Sequence, residues 1–259
     1  MDELEHLDDE EVYRQLEAAR RAMSADLLRD PVTLARGLDR RFRLRPHLKL
    51  IGDALAEVGR GEYDRLLILT PPQVGKSTTV AEWFPFWWLC TYPEDKVAVT
   101  SYGDDLALRR GKRIRGYVKE FGDEWELRMK AGSGAMQDWE VTKGGGCRSV
   151  SVGKGLTGFD VNLLIIDDPH KDRADAESEA ARRALHDWYS SAALSRLQPD
   201  RSATSPGGRS PRRRRSAPAP PRTSLCRRIC SRTCRNTSSS VPSWTATGTS
   251  RWRTTTRSG

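Results

Sequence analysis

Hydrophobic and polar positions follow the periods of helices and short strands over most of the chain. Apolar residues that recur every three or four positions indicate helices, and short apolar runs with few charges indicate strands. The pattern predicts helices over residues 8–30, 48–58, 75–84, 104–121 and 174–197, strands over 65–70, 96–101 and 161–167, and a hairpin over 139–152 that turns at the glycines of 144–146. Strands that alternate with helices predict an α/β domain with a mostly parallel sheet.

Composition changes abruptly near residue 200. Residues 201–259 hold 14 Arg and no Lys, Asp or Glu, and only three aliphatic residues (Leu, Ile and Val) among 59. So few apolar side chains cannot offset the entropy of ordering, which predicts a disordered tail over residues 200–259. The first 200 residues hold 30 basic and 35 acidic residues, so the net charge of +9 comes from the tail. It is therefore no evidence that the body of the protein binds DNA.

Nothing in the sequence predicts a membrane span or a secretion signal. The longest apolar stretch, residues 83–90, is interrupted by Pro85 and is far shorter than the ~20 residues that cross a bilayer. The first residues are acidic, whereas a signal peptide begins with positive charge. We therefore expect a cytoplasmic protein with no membrane partner.

Residues 70–77 read Thr-Pro-Pro-Gln-Val-Gly-Lys-Ser and lie between a predicted strand and a predicted helix. In that context Gly-Lys-Ser predicts a phosphate-binding loop, in which backbone N–H groups and the helix N-terminus surround an anion. Lys76 is predicted to reach the β- and γ-phosphates, and the Ser77 hydroxyl to bind Mg²⁺. The predicted nucleotide-binding set is Pro72, Gln73, Val74, Gly75, Lys76, Ser77 and Thr78. Since Thr70 replaces the usual first glycine, an ordinary turn with this triplet remains the alternative.

A second motif supports the first. Residues 162–166 are apolar apart from Asn162 and are followed by Asp167 and Asp168. Phosphoryl transfer uses one carboxylate to hold hydrated Mg²⁺ and another to orient the attacking water. We predict the metal role for Asp167 and the water-orienting, catalytic role for Asp168, beside Lys76. A solvated acidic turn at the end of a strand is the alternative.

Together these stretches resemble the large subunit of tailed-phage terminases, over about residues 46–199. The matching pieces are Pro46-His47, the loop from Arg65 to Ser77, Trp87-Trp-Leu89, Ser101-Tyr102, Leu106-Ala107, Gly155-Leu-Thr-Gly158, Leu164-Ile-Ile-Asp-Asp-Pro169, Asp187-Trp-Tyr189 and Ser195-Arg-Leu197. The resemblance implies an additional-strand P-loop ATPase that uses ATP and Mg²⁺ to package double-stranded DNA into procapsids in the host cytoplasm. It also implies a terminase small subunit, a portal protein and a homo-oligomeric ring as partners. It places His47 near the nucleotide base, although a capping or core histidine is an equal alternative.

The resemblance divides the chain into a helical segment (1–45), an incomplete ATPase domain (46–199) and the tail (200–259). The family continues after the stretch matched by Leu197 with a coupling strand, which lies between the strands of the phosphate loop and the acidic pair, and then with a nuclease domain. The tail has no carboxylate side chain and the composition of a GC-rich gene read out of frame, so we expect a frameshift near residue 200 and no nuclease here. The family's loop commonly carries a basic residue where this chain has Gln73, which adds no positive charge. This difference and the loss of the coupling strand together predict weak or absent ATPase activity.

Other basic and aromatic residues leave alternatives open. Three tryptophans, Trp83, Trp87 and Trp88, are expected in the core rather than in a stacking surface. The basic residues of helix 104–121 face either DNA phosphates, a neighbouring subunit or solvent, and Arg182, Arg183 and Arg196 are candidates for a finger that enters a neighbouring ATP site. Two other functions remain possible: a helicase-like ATPase, or a non-catalytic remnant whose tail binds nucleic acid.

Overall fold

The computed structural model describes residues 9–133, 135–156, 158–198, 243–247 and 251–255. Contacts divide the chain into two units, residues 1–215 and 216–259, which are treated separately below. The expected frameshift site and most of the predicted tail lie outside the described residues.

The first unit contains a four-stranded mixed sheet. Its strands are β1 (Lys96–Ser101), β2 (Asp138–Glu140), β3 (Gly146–Ser151) and β4 (Leu163–Ile166), in the order β2-β3-β1-β4. The central strand β1 is parallel to both neighbours, with Val97 opposite Cys147 on one side and Leu163 on the other. β2 is antiparallel to β3, as the predicted hairpin requires. The sheet confirms the α/β class.

Among the described residues, three helices precede the predicted phosphate loop: α1 (Asp9–Leu27), α2 (Pro31–Leu38) and α3 (Pro46–Gly59). The sequence pattern did not predict α2. Its beginning is set by buried Asp30, whose carboxylate accepts hydrogen bonds from the backbone N–H groups of Val32 and Thr33. Pro31 at the first helical position has no N–H that needs a partner.

A further helical run follows the loop, first as α4 (Lys76–Thr78), then as a π-helical turn (Thr79–Trp83) and then as α5 (Phe84–Thr91). The side chains of α5 are apolar on all sides of the helix, and residues 84–90 are buried. The Trp83 ring stacks on Tyr117 of α6 (Asp104–Phe121), with ring centroids 4.0 Å apart. The indole N–H groups of Trp87 and Trp88 donate to Leu28 O and Asp95 Oδ2. These contacts confirm that the three tryptophans belong to the core.

The prediction of a strand over residues 65–70 is wrong: these residues form no regular strand and pair with none of the strands that the structure describes. Leu66 and Ile68 pack against the core, whereas Leu67 and Leu69 are 68% and 62% exposed. An apolar run predicts burial on both faces, and here only one face is covered. In the described sheet β4 is the terminal strand, and its side away from β1 pairs only through the parallel bridge of Val161 with Leu197.

Two other predicted elements are shorter than expected. The acidic strand, predicted over 161–167, is regular only over residues 163–166. The helix predicted over 174–197 is divided into α7 (Arg173–Glu177) and α8 (Glu179–Trp188), followed by a π-helical and a 3-10 turn to Arg196. Ser178 ends α7 in an extended conformation and its hydroxyl accepts from Ala181 N, so it begins a new helix there.

The second unit contains an antiparallel pair of strands, β5 (Ser243–Thr247) and β6 (Arg251–Thr255). These ten residues lie in the segment for which disorder was predicted, and in them the structure differs from that prediction. Threonine and tryptophan, which favour extended backbone, make up six of these ten residues. Within the described residues, no helix is both long and apolar enough to span a membrane.

The Asp30 cap generates a prediction about stability. Burial acts to raise the pKa of the Asp30 carboxyl, but hydrogen bonds from Thr33 and the nearby Lys49 ammonium outweigh burial and lower the pKa. The stability gained from ionised Asp30 is therefore present above its unfolded pKa of about 3.9 and is lost as pH falls through the lower folded pKa. We expect Asp30→Ala to reduce the free energy of unfolding by about 2 kcal/mol at pH 7 in urea denaturation.

The difference between Asp30→Ala and the wild type should shrink as the pH falls below the unfolded pKa of about 3.9 and through the lower folded pKa. Asp26→Ala is the matched control, because Asp26 is exposed and pairs only loosely with Arg29 at 3.5 Å among the described contacts. Its effect should stay within about 0.5 kcal/mol. Equal losses for the two variants at pH 7 would contradict the capping role.

The exposed leucines generate a prediction about association, since unpaired apolar segments promote aggregation. We expect the double variant Leu67→Lys with Leu69→Lys to scatter less light than the wild type at equal concentration, with little change in the free energy of unfolding. The control Ile68→Lys buries a charge against the core and should cost at least about 2 kcal/mol. An equal loss of stability in the double variant would show that both faces of the segment are packed.

Candidate functional site

The predicted phosphate loop, residues 70–77, is a tight turn with two left-handed residues. Gln73 has φ 60° and Gly75 has φ +91°, and the latter precedes the first residue of α4. Left-handed residues within a turn aim successive N–H groups toward one side, which is the geometry of an anion-binding concavity. The loop is open to solvent, with Pro72, Gln73 and Gly75 exposed and Val74, Lys76, Ser77 and Thr78 half-buried.

The structure brings the loop against the acidic end of β4. The Lys76 ammonium lies 2.7 Å from Asp168 Oδ1 and 3.5 Å from Asp167 Oδ1. The Ser77 hydroxyl donates to Asp167 Oδ1 at 2.9 Å. Residues 90 positions apart thus meet in one cluster, as the two sequence motifs together predict.

The sheet sets the positions of the two carboxylates. Asp167 N donates to Thr100 O of β1, and Tyr102 N donates to Asp168 O, so the backbone stays attached to β1 beyond the end of β4. Asp168 has φ 48°, a left-handed conformation that turns the chain sharply after Asp167. The Asp167 side chain is 2% exposed and that of Asp168 is 51% exposed. The buried carboxylate suits a fixed ligand, and the exposed one can reach water.

His47 supports the loop from the side. Its Nε2–H donates to the carbonyl of Val74 at 2.9 Å, which connects the start of α3 to the loop backbone. This contact gives His47 a place beside the predicted site.

Two site residues, Arg110 and Glu82, were not predicted from the sequence. Arg110 of α6 donates from Nη2 to Asp167 Oδ2 at 3.2 Å, and its Nη1 contacts the carboxylate of Glu82 in the π-helical turn. Burial raises the pKa of the Glu82 carboxyl, although the Arg110 charge acts in the opposite direction. Arg110 is one of several basic residues on α6, and only its contacts with the two carboxylates distinguish it from its neighbours.

The donor set fits a hydrated Mg²⁺ ion. A hydroxyl and a carboxylate oxygen, those of Ser77 and Asp167, lie 2.9 Å apart beside the loop. Among the residues that the structure describes, no group of three or more His, Cys, Asp or Glu could hold a metal ion alone. Mg²⁺ is commonly held by one or two protein ligands together with substrate phosphates and water, so a sparse oxygen set at a phosphate loop is compatible with it.

The loop conformation generates a prediction about Gly75. A Cβ added at Gly75 would make only ordinary contacts with Leu48, at 3.5 Å and beyond, so the cost of Gly75→Ala comes from the left-handed backbone. We expect a loss of about 1–2 kcal/mol in the free energy of unfolding. Gly116→Ala, in α6 with nothing within 4 Å of the added Cβ, should instead stabilise by about 0.5–1 kcal/mol. A stabilising Gly75→Ala would contradict the loop conformation.

Comparison with known proteins identifies the chain. A family model described as the N-terminal part of the terminase large subunit, T4likevirus-type, matches residues 67–204, just over half of the chain. The match includes the loop residues from Leu67 onward and the acidic end of β4. No curated protein sequence matches at the significance required. The chain belongs to the family of T4-like-virus-type terminase large subunits.

Proposed function

We propose that this chain is the ATP-hydrolysing motor domain of a phage terminase large subunit, which packages double-stranded DNA into procapsids. One observation carries the proposal: Lys76, Ser77, Asp167 and Asp168 converge at the mouth of a loop with left-handed turns. Family membership supports a terminase role, and the cluster supplies the groups that nucleotide hydrolysis needs.

Each residue has a distinct proposed part. Loop N–H groups from Gln73 onward and the Lys76 ammonium would bind the phosphates, while Ser77 and Asp167 would hold Mg²⁺. The bound ion neutralises negative charge on the phosphates. Asp168 would orient the attacking water and accept its proton.

The present geometry implies a rearrangement on binding. Lys76 is paired with Asp168 at 2.7 Å, so the ammonium must leave that carboxylate to reach a phosphate oxygen. Its departure frees Asp168 to contact water. Binding and activation of the water-orienting carboxylate would therefore be coupled through a single lysine.

Two features favour slow turnover. Gln73 adds no positive charge to the loop, and residues 65–70, which lead into the loop, lack strand partners in the described sheet. The loop is therefore supported mainly by His47, the carboxylate contacts and core packing of Leu66 and Ile68. A small subunit, a portal protein and a homo-oligomeric ring are the partners that we propose for packaging, in the host cytoplasm.

Nucleotide binding tests the proposal without depending on turnover. We expect Lys76→Ala to weaken binding of a fluorescent ATP analogue with Mg²⁺ at least tenfold, because the ammonium contacts phosphate in the bound state. Asp168→Asn should bind at least as tightly as the wild type, since Lys76 loses a competing partner, and should abolish any hydrolysis that the wild type shows.

Lys112→Ala is the matched control, because Lys112 is an exposed lysine of α6 that pairs with no residue of the loop and neither Asp167 nor Asp168 among the described contacts. It should bind the analogue like the wild type. Equal affinity for wild type and Lys76→Ala would contradict the proposal. Binding of nucleic acid that survives Lys76→Ala but is lost on deleting residues 201–259 would favour the non-catalytic alternative.

A further inference from the structure

Arg110 connects the nucleotide-site carboxylate to a second buried acid. Its side chain is 15% exposed, and the side chains of its partners Glu82 and Asp167 are 10% and 2% exposed. Its Nε is buried and has no hydrogen-bond partner among the described residues. The guanidinium is therefore held by two carboxylates, one from the π-helical turn and one from the end of β4.

This charge network is a costly way to stabilise a core. Removing three charged groups from water carries a desolvation penalty that mutual attraction offsets only with good geometry, and apolar residues often serve as well. A cavity of about 490 Å³ borders the network and is lined by Glu82, Leu106, Arg109, Arg110, Lys112 and Arg113. Packing thus gives no reason for the network, and its contact with Asp167 indicates a role at the site.

The two oxygens of Asp167 have different partners. Oδ1 accepts from the Ser77 hydroxyl at 2.9 Å and lies 3.5 Å from the Lys76 ammonium, whereas Oδ2 accepts from Arg110 at 3.2 Å. A carboxylate held at both oxygens cannot rotate freely about its terminal bond. Arg110 therefore fixes the orientation of the Asp167 carboxylate, with one oxygen directed at the loop.

We propose that Arg110 is a positioning residue for the metal-binding carboxylate, and that Glu82 in turn fixes Arg110. This inference rests on the function proposed above and adds a positioning residue to the same site. Arg110 keeps Asp167 Oδ1 directed at Ser77, so that the two oxygens are ready to receive Mg²⁺ together. Arginine suits the task because its planar group can bond two carboxylates at once, which an ammonium on a lysine stem does poorly.

The test separates metal-dependent from metal-independent nucleotide binding. Affinity for the fluorescent ATP analogue is measured in EDTA and across a Mg²⁺ titration, and thermal melting checks the fold of each variant. We expect Arg110→Gln to raise the Mg²⁺ concentration at half effect about tenfold, the size of change usual for partners of metal ligands. Affinity in EDTA should change less than twofold, because Arg110 contacts no residue of the loop directly in the described structure.

Three further variants complete the design. Arg110→Lys should give a smaller rise than Arg110→Gln. Glu82→Gln, which removes the anchor without touching Asp167, should shift the Mg²⁺ requirement in the same direction by a few fold. Arg109→Gln is the control, because Arg109 is exposed and its side chain donates only to Asp105 O of its own helix among the described contacts.

Each outcome bears on a separate claim. If the wild type binds the analogue and folded Arg110→Gln has an unchanged Mg²⁺ requirement, the positioning role is wrong while the proposed function stands. If Arg110→Gln does not fold, an unchanged requirement in Arg110→Lys and Glu82→Gln overturns the role equally well. A wild type that binds no analogue overturns the proposed function and, with it, the inference.

Discussion

The site depends on one constraint: the negative charges of two adjacent carboxylates at the end of one strand must be balanced by nearby cations and hydrogen-bond donors. Asp167 and Asp168 follow β4 directly, and Asp167 is almost fully buried. A buried carboxylate needs charged or hydrogen-bonding partners. Here those partners come from two different elements: Lys76 and Ser77 from the loop and α4, and Arg110 from α6. The same contacts that satisfy Asp167 therefore hold the loop against the sheet.

The sequence predicted the elements whose signal is local. Helical periodicity predicted the limits of α6, and a short apolar run predicted the limits of β1, each within one residue. The paired motifs predicted that residues 70–77 and 162–168 meet. Helix α2 was missed because it is only eight residues long and its start depends on the Asp30 cap. Arg110 and Glu82 could not be found from the pattern, because their roles arise from a contact between elements 28 residues apart. In the sequence, the only available signal was an acidic residue, Glu82, within an otherwise apolar run.

Residues 65–70 show where composition alone misleads. A run of Leu and Ile indicates a strand buried on both faces, but strand identity also requires neighbours for the backbone N–H and C=O groups. The described sheet ends at β4, and beyond it lies only the bridge between Val161 and Leu197. The segment therefore forms no strand among the described residues: Leu66 and Ile68 pack against the core, while Leu67 and Leu69 remain exposed. The loop that it carries retains its contacts with Asp167 and Asp168 all the same.

The proposed chemistry requires Ser77 and Asp167 to hold one divalent ion jointly, beside a bound nucleotide. Electron paramagnetic resonance of Mn²⁺, titrated into the full chain with ATP, tests this most directly because free and bound Mn²⁺ are distinguished without any need for turnover. We expect one nucleotide-dependent Mn²⁺ per chain, with binding weakened strongly in both Ser77→Ala and Asp167→Asn. Unchanged Mn²⁺ binding in both variants would contradict it.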